Sequence, residues 1–565
     1  MQAWLTLWRD NAERLAFIAA ALATLIAVAF AASLSPRALG YAGADDALFV
    51  RLAQHITQGD WLGPYDEFTL VKGAFYPMFI AASAMAGLPL LVAQQIVTIV
   101  VAGVAALALR RLGLPKSMTL LLFVLLALSP VAWHPDLVRV TREPLYANLG
   151  LAVFAFAALV LLKQNQTPSA RMRALAGFSV AFAAFWLTRE ESVWLYPALA
   201  VLALVPATAA IFGWWRHGFP RGRLRQSAGV LALQAAALVL PFAALTGGVA
   251  ALNQAYYGSF ITNEVREGAM PSAYGALLRI EEAAPAPRIF FAGDAAAHAY
   301  RASTAAAELQ PSLDGARGEN WRRIGCEALA LSPCPTGFGG GWFMWALREA
   351  AREAGHMKDA GAAQAFFARL ATEINTACDA GKIPCGGARD GMTPPLLPAH
   401  LAALPKRIDA ALQLVLRFGF GDVGAAPSQG TPEQLALFRE MVGEIAPVEN
   451  VPSPSPALKT LASAYAFLVP FLFLAGLLML GVALLRAKRV PLNAALFVVA
   501  LASLTAVTVR AVLIAFIDVT SWDAVNVQYM LPAAPFVLIL AVVGIYLGAR
   551  VPTSITPLKK AANAS

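Results

Sequence analysis

Residues 491–516, PLNAALFVVALASLTAVTVRAVLIAF, contain a single charged side chain, Arg510. A helix crossing a hydrocarbon core of ~30 Å needs about 20 mostly apolar residues, and this run exceeds that length. Nine further runs satisfy or approach it: about 15–34, 88–109, 117–133, 145–162, 174–188, 192–213, 227–248, 460–485 and 529–549. The run at 15–34 could be read as a signal peptide, but it outlasts a usual apolar signal core and has no small-residue cleavage site after it. It reads as a retained helix. The weakest pair, 174–188 and 192–213, is split by Arg189-Glu190-Glu191, as a turn just inside the outer interface would be.

The whole composition agrees with these runs. Of 565 residues, 59% are hydrophobic and 14% charged, with a mean hydropathy of +0.62; a soluble chain carries roughly 45–50% apolar and about 25% charged residues. A soluble multidomain enzyme, a disordered chain and a disulfide-dense miniprotein are excluded. The net charge of +9 does not imply nucleic acid, because the basic residues gather at the ends of apolar runs: Arg9 and Arg14, Arg110 to Lys116, Lys163 to Arg173, Arg216 to Arg225, Arg486 to Arg489, and Arg550 to Lys560. Lys/Arg-rich short loops stay in the cytoplasm. With a cytoplasmic N-terminus every cluster falls inside, and segments 36–87, 134–144, 189–191, 249–459 and 517–528 fall outside.

The expected fold class is therefore mainly α: a polytopic helical membrane bundle of about 10 transmembrane helices, with interfacial helices and an extracytoplasmic soluble domain. Residues 1–248 form an N-terminal transmembrane module with catalytic outer loops, 249–459 a disulfide-bonded extracytoplasmic domain, and 460–565 a C-terminal transmembrane module. No internal repeat or low-complexity linker is visible. In the outer domain, Trp342, Trp345, Ala346 and Glu349 lie at helical spacing, predicting one helix over Trp342–Cys378 between Gly339-Gly340-Gly341 and Gly381. All four cysteines lie there and allow three pairings. The local pairs Cys326–Cys334 and Cys378–Cys385 read as two structural disulfides of an oxidising compartment. His356 and His400 read as surface or satisfied residues rather than metal ligands.

Charged residues at the outer ends of the runs carry the candidate chemistry. Asp45 and Asp46 precede an apolar stripe, Leu48, Phe49, Leu52, Ala53 and Ile56, expected to lie in the membrane interface. One reading has the pair capping that helix; the other has an ionised carboxylate accepting a proton from a bound nucleophile. Lys72 lies where an anionic head group would pass, or simply snorkels. The link 134–146 carries Arg139, Arg142 and Glu143, and the next turn Arg189, Glu190 and Glu191. Ionisable groups at membrane depth are costly and default to functional hypotheses; guanidinium suits phosphate, although each Arg could instead pair with a neighbouring Glu. Arg510 is eight residues from Asp518, too far for an i,i+4 pair, and is expected to face the bundle interior.

The stretch Asp45-Asp46-Ala47-Leu48-Phe49 through Gly59-Asp60-Trp61, then Lys72-Gly73-Ala74-Phe75-Tyr76-Pro77, resembles the acidic motif, interfacial helix and Lys-Pro-Pro-Leu-Tyr-like segment of the GT-C superfamily of membrane glycosyltransferases. That superfamily includes protein O-mannosyltransferases and the lipid A aminoarabinose transferase. Thr188-Arg189-Glu190-Glu191 is similar to its short charged turn, and Gln528-Tyr529-Met530-Leu531-Pro532 to the start of its last helix. The likeness covers roughly residues 1–200 and the final helix. Val71, Gly73 and Gln528 depart from the family's acidic residue, Pro and Arg.

The resemblance implies a sugar moved from a polyprenyl-phosphate carrier to an acceptor hydroxyl, with inversion at the anomeric carbon. Asp45 or Asp46 would be the catalytic base, with Glu143 positioning the acceptor or the base. Lys72, Arg142, Arg189 and Arg510 would hold the phosphate, and Tyr76, Glu190 and Tyr529 would touch acceptor or sugar. An ordinary Asp, with a pKa of about 3.9, is a weak base and would act late, as the sugar–phosphate bond breaks. No cofactor is expected; the Asp-x-Asp spacing of metal-dependent members is absent, so a divalent metal is not indicated. The partners implied are a polyprenyl-phosphate-linked sugar donor, an acceptor that is a glycan, lipid or protein, and membrane lipids. The location implied is a bacterial inner membrane with the large loop periplasmic. The competing readings are a transporter or flippase of a lipid-linked saccharide and a non-catalytic envelope assembly factor. Transporters place polar residues at the midplane of broken, repeated helices, which this pattern lacks.

Overall fold

The computed structural model describes residues 2–163, 165–217, 228–488 and 490–550, with side chains omitted at 2–13, 209–217 and 228. Arg9, Arg216, Arg221, Arg223, Arg225, Arg489, Lys559 and Lys560, all part of the basic clusters, have side chains outside what is described.

Apolar runs without a partner for their backbone must close their hydrogen bonds internally, and in lipid only helices and closed barrels do so. Among the described residues nine helices are long and apolar enough to cross a membrane: Arg14–Ala32, Leu90–Arg111, Lys116–Trp133, Glu143–Leu162, Pro168–Thr188, Gly229–Tyr257, Pro456–Arg486, Ala494–Thr520 and Val527–Ala549. They match nine of the ten expected runs. The tenth is a 3-10 turn, Ser192–Leu195, leading into helix Tyr196–His217, and its described apolar part ends at Thr208. The last span is the most enclosed and the first faces outward along most of its length. Phe154, Phe185, Trp194 and Phe536 form the aromatic centre of the core between them. The chain is an integral membrane protein, mainly α.

Three differences from the sequence reading bear on the site. The stripe on helix Asp46–Thr57 is covered by protein: Leu48, Phe49, Leu52 and Ala53 are buried against helices Phe75–Met85 and Pro432–Val442 and the 61–74 loop. Outer segments cover it, a tertiary contact no local pattern reports. The helix expected over Trp342–Cys378 is two, Gly340–Glu353 and Ala360–Asp379. Gly355 turns the chain at φ +82°, a conformation glycine adopts without strain, and the Asp359 side chain caps the second helix on the Ala362 amide at 2.7 Å.

The third difference concerns residues 249–459. Helix Gly229–Tyr257 runs past 248, and the compact outer core spans Met270 to Ile383. It contains one small antiparallel pairing, Ile289 with Gly339 and Phe290 with Phe338. Beyond it, helix Pro398–Leu416 joins the membrane core through Ala411 and Val415, and helix Pro432–Val442 packs on the interfacial helices. Both disulfides, Cys326–Cys334 and Cys378–Cys385, are present.

A candidate active site of buried charge pairs

The charged residues of the outer loops meet at one end of the helix bundle because each sits where a span starts or stops. Glu143 opens one span and Thr188 closes another. Arg189, Glu190 and Glu191 form the turn after it, and Gln528 and Tyr529 open the last. The 36–40 segment fixes the loop beside Asp45: Arg37 N–H donates to the Val138 carbonyl at 2.8 Å, and Gly40 N–H to that of Gln429 at 2.7 Å.

At the water-facing corner lie Asp45, Lys72, Arg139 and Asp46. Lys72 Nζ is 3.5 Å from Asp45 Oδ1. Arg139 donates from Nη2 to Asp45 Oδ2 at 3.1 Å and from Nε to Asp46 Oδ1 at 2.9 Å, with a further Nη2 contact to Asp46 Oδ2. Asp45 occupies the N-cap position but its side chain caps nothing, which removes the capping alternative for that residue. Its side chain is 42% exposed, whereas that of Asp46 is fully buried. Burial pushes the Asp46 carboxyl up to about 7, against the pull of Arg139. Lys72 also lies 5.9 Å from the Phe49 ring and 5.7 Å from that of Trp345, an outer-domain residue.

Behind this corner the carboxylates are each paired with an arginine, while Arg510 keeps Nη1 and Nη2 buried without a hydrogen-bond partner among the described residues. Arg142 grips Glu190 with two parallel hydrogen bonds of 2.8 and 2.7 Å and donates to the Thr188 carbonyl at 3.1 Å. Glu190 also accepts from the Gly73 amide at 3.2 Å and from Asn263 at 3.3 Å. Burial raises the Glu190 pKa, but Arg142, Lys72 and Arg189 outweigh it and hold it at about 2. Arg189 bridges Glu143 and Glu191 (2.7 Å to the latter) and lies 4.9 Å over the Tyr529 ring. Glu143 is braced by Thr141, which accepts from Gln528 at 3.4 Å. Arg510, fully buried, donates from Nε to the Tyr529 carbonyl at 2.8 Å and places Nη2 3.3 Å from Glu191 Oε1.

The position of Gly73 follows from this crowding. A Cβ there would overlap the Leu187 carbonyl, so only glycine lets the Lys72 loop approach the 188–191 turn.

Three of the expected site residues are engaged within the protein. Arg142, expected at the phosphate, is paired with Glu190, which takes both arms of its guanidinium. Tyr76 is fully buried, with its hydroxyl 3.3 Å from Gln94, and offers no surface to a sugar. Glu190 is occupied in the same way. Asp45, Asp46, Lys72, Glu143, Arg189, Arg510 and Tyr529 come together in the one constellation.

Arg139 and Glu191 stood in the charged loops but were not singled out. Their signal was charge balance. Taking Asp45, Asp46, Glu143, Glu190 and Glu191 as anions, the cations Lys72, Arg142, Arg189 and Arg510 leave one unmatched, and Arg139 supplies it. A second buried pair also escaped notice: Arg348 Nη1 to Glu264 Oε2, 2.6 Å, with both side chains fully buried. Arg348 also donates to the carbonyls of Glu67 (2.6 Å) and Thr69 (3.1 Å), tying the outer domain to the loop that carries Lys72. Among the described residues no three His, Cys, Asp or Glu side chains gather as a metal-binding group.

Fold and site together define a polytopic helical membrane protein with buried ion pairs concentrated at one end of its bundle. The chain is similar to the crystal structure of ArnT from Cupriavidus metallidurans in the apo state, at 14% identity over 97% of this chain and 77% of that one, with a TM-score of 0.31. It is similar also to ArnT from the same organism bound to undecaprenyl phosphate, at 14% identity over 94% and 76%, with a TM-score of 0.30. No family model and no curated protein matches the chain. With TM-scores this low, the functional reading rests on the site's own geometry.

Proposed function

We propose that this protein is a membrane glycosyltransferase of GT-C type, moving a sugar from a polyprenyl-phosphate carrier to an acceptor hydroxyl at the outer face of a bacterial inner membrane, with its N-terminus in the cytoplasm. The observation that carries this is the Asp45–Lys72 corner: a water-accessible carboxylate 3.5 Å from an ammonium that has no second carboxylate at ion-pair distance among the described residues, at the rim of a site whose remaining carboxylates are paired with arginines. A base and a phosphate-binding cation are then available in one place, and the locked pairs preorganise them.

In this mechanism the acceptor oxygen attacks the anomeric carbon as the bond from that carbon to the phosphate oxygen breaks. The electron pair leaves with the polyprenyl phosphate, whose growing charge Lys72 stabilises, and the hydroxyl proton passes to Asp45. Attack opposite the leaving group inverts the configuration. Arg139, held by Asp46, fixes the Asp45 carboxylate, while Arg189 and Arg510, paired with Glu143 and Glu191, brace the wall behind it.

The test uses purified full-length protein in detergent. Undecaprenyl phosphate should raise its thermal stability, and Lys72→Met should weaken that response roughly 10- to 150-fold in concentration, the range for a hydrogen bond to a charged group. Asp45→Asn should keep the response and lose sugar transfer from a polyprenyl-phosphate hexose. Normal transfer by folded Asp45→Asn, or equal stabilisation by unphosphorylated undecaprenol, would remove the assignment.

A further inference from the structure

The outer domain carries an open cleft of about 330 Å³ that plays no part in the charged site. Small-molecule pockets start at roughly 300 Å³. Its walls are the end of helix Ala269–Arg279, the 280–291 segment and residues 386–400. Leu277, Leu278, Ile289, Phe290 and Phe291 supply an apolar part of its lining, and Glu281, Glu282, Arg288 and Arg389 a polar part. The walls are built firmly: Glu281 N–H donates to the Pro384 carbonyl at 3.0 Å and Gly386 N–H to that of Arg279 at 2.9 Å, beside the Cys378–Cys385 disulfide.

Three observations point to a ligand. His400 lines the cleft and is 3% exposed. Its Nδ1 accepts the Leu397 N–H at 3.1 Å, so the neutral ring carries its proton on Nε2, and Nε2 is buried with no partner among the described residues. An unmet buried donor costs about 1–3 kcal/mol, a deficit that a ligand oxygen would remove. Arg288 (φ 65°) and Phe291 (φ 53°) are left-handed non-glycine residues flanking the short strand, and such strain collects at ligand sites. The third observation is charge. Arg279 is neutralised by Asp379 at 2.7 Å and Arg288 by Asp523 at 2.6 Å, leaving Arg389 against Glu281 and Glu282. A strongly anionic ligand finds no net attraction there.

We propose that this cleft is a saccharide-binding site for an uncharged mono- or disaccharide. The apolar part of the lining takes the C–H face of a pyranose ring. His400 Nε2–H, Glu281 and Arg389 take its hydroxyls. The pocket would hold the glycan of an acceptor, and it deepens the glycosyl-transfer reading, resting on it for the source of the saccharide though not for binding. Arg288 joins the wall to Asp523, in the loop that leads to Gln528 and Tyr529.

The test is saturation-transfer NMR on the full chain in detergent with maltose, cellobiose and N,N′-diacetylchitobiose, without donor. At least one should give a saturable signal. Ala286→Trp, which adds a bulky ring to the lining, should abolish it, and His400→Phe, which keeps a flat ring and deletes the donor, should weaken it roughly 2- to 12-fold. Both variants should keep the wild-type thermal response to undecaprenyl phosphate. No signal from any disaccharide overturns the site, as does a signal that both variants leave intact, or equal competition by the peptide Ala-Ala-Ala. Loss of the undecaprenyl phosphate response with disaccharide binding retained would remove the transferase reading and leave this one standing.

Discussion

Replacing Arg348 with Met should be among the most damaging single changes in the outer domain, out of proportion to the side-chain volume lost. The guanidinium is fully enclosed and serves three oxygen acceptors, Glu264 Oε2 at 2.6 Å and the carbonyls of Glu67 and Thr69 at 2.6 and 3.1 Å, besides Met270 Sδ at 3.4 Å. Arg348→Met keeps the apolar stem but strands a buried carboxylate and two buried carbonyls; removing one partner of a buried pair costs about 3–5 kcal/mol. Glu264 retains only Tyr65 Oη at 2.7 Å and Gln364 at 3.4 Å, too little to offset that. At roughly 2–4 °C per kcal/mol, the outer domain should melt about 6–20 °C lower. Glu264→Gln alone should also destabilise it, but in Arg348→Met/Glu264→Gln no charge is stranded, so the double variant should recover about 1–3 kcal/mol relative to the sum of the singles. The assay is thermal unfolding of the purified protein, followed by near-ultraviolet circular dichroism, to which Trp321, Trp342 and Trp345 and the Tyr and Phe rings of the outer core contribute. Strictly additive single and double variants would refute the argument, since they would mean the pair exchanges no energy.

Gly73→Ala should cut sugar transfer at least about tenfold and cost about 1–3 kcal/mol of stability, because the added carbon forces the Lys72 loop away from the Leu187 carbonyl; normal turnover by this variant would show the close approach to be unimportant. Asp46 predicts a pH dependence. Its folded pKa, about 7, lies above the ordinary value of 3.8, so its stabilising contribution is complete below about pH 4 and is lost as pH rises towards 7. Asp46→Asn should therefore flatten the fall in stability across that window by up to about 1.4 kcal/mol per pH unit, and identical slopes in the two proteins would contradict it.

The spans were legible because a run such as 491–516 admits one solution in lipid whatever its neighbours do. Boundaries were less so: the break at Gly355 lay inside a continuous helical spacing, and the stripe of helix Asp46–Thr57 gave no hint that protein rather than lipid covers it. In the site, the pattern put Asp45, Asp46, Lys72, Glu143, Arg189 and Arg510 among the candidates because ionisable groups beside apolar runs are conspicuous. It gave Arg142 a phosphate, where the fold gives it Glu190, and it passed over Arg139 and Arg348.

The amino-acid sequence alone determined that this chain lies in a membrane as a helical bundle with charges at one edge, since length and hydropathy are local properties that lipid reads directly. Which cation meets which carboxylate was decided only in three dimensions. Asp45 and Arg139 are 94 residues apart along the chain, Glu264 and Arg348 are 84 apart, and pairing across such distances depends on how helices pack, which no short-range pattern encodes.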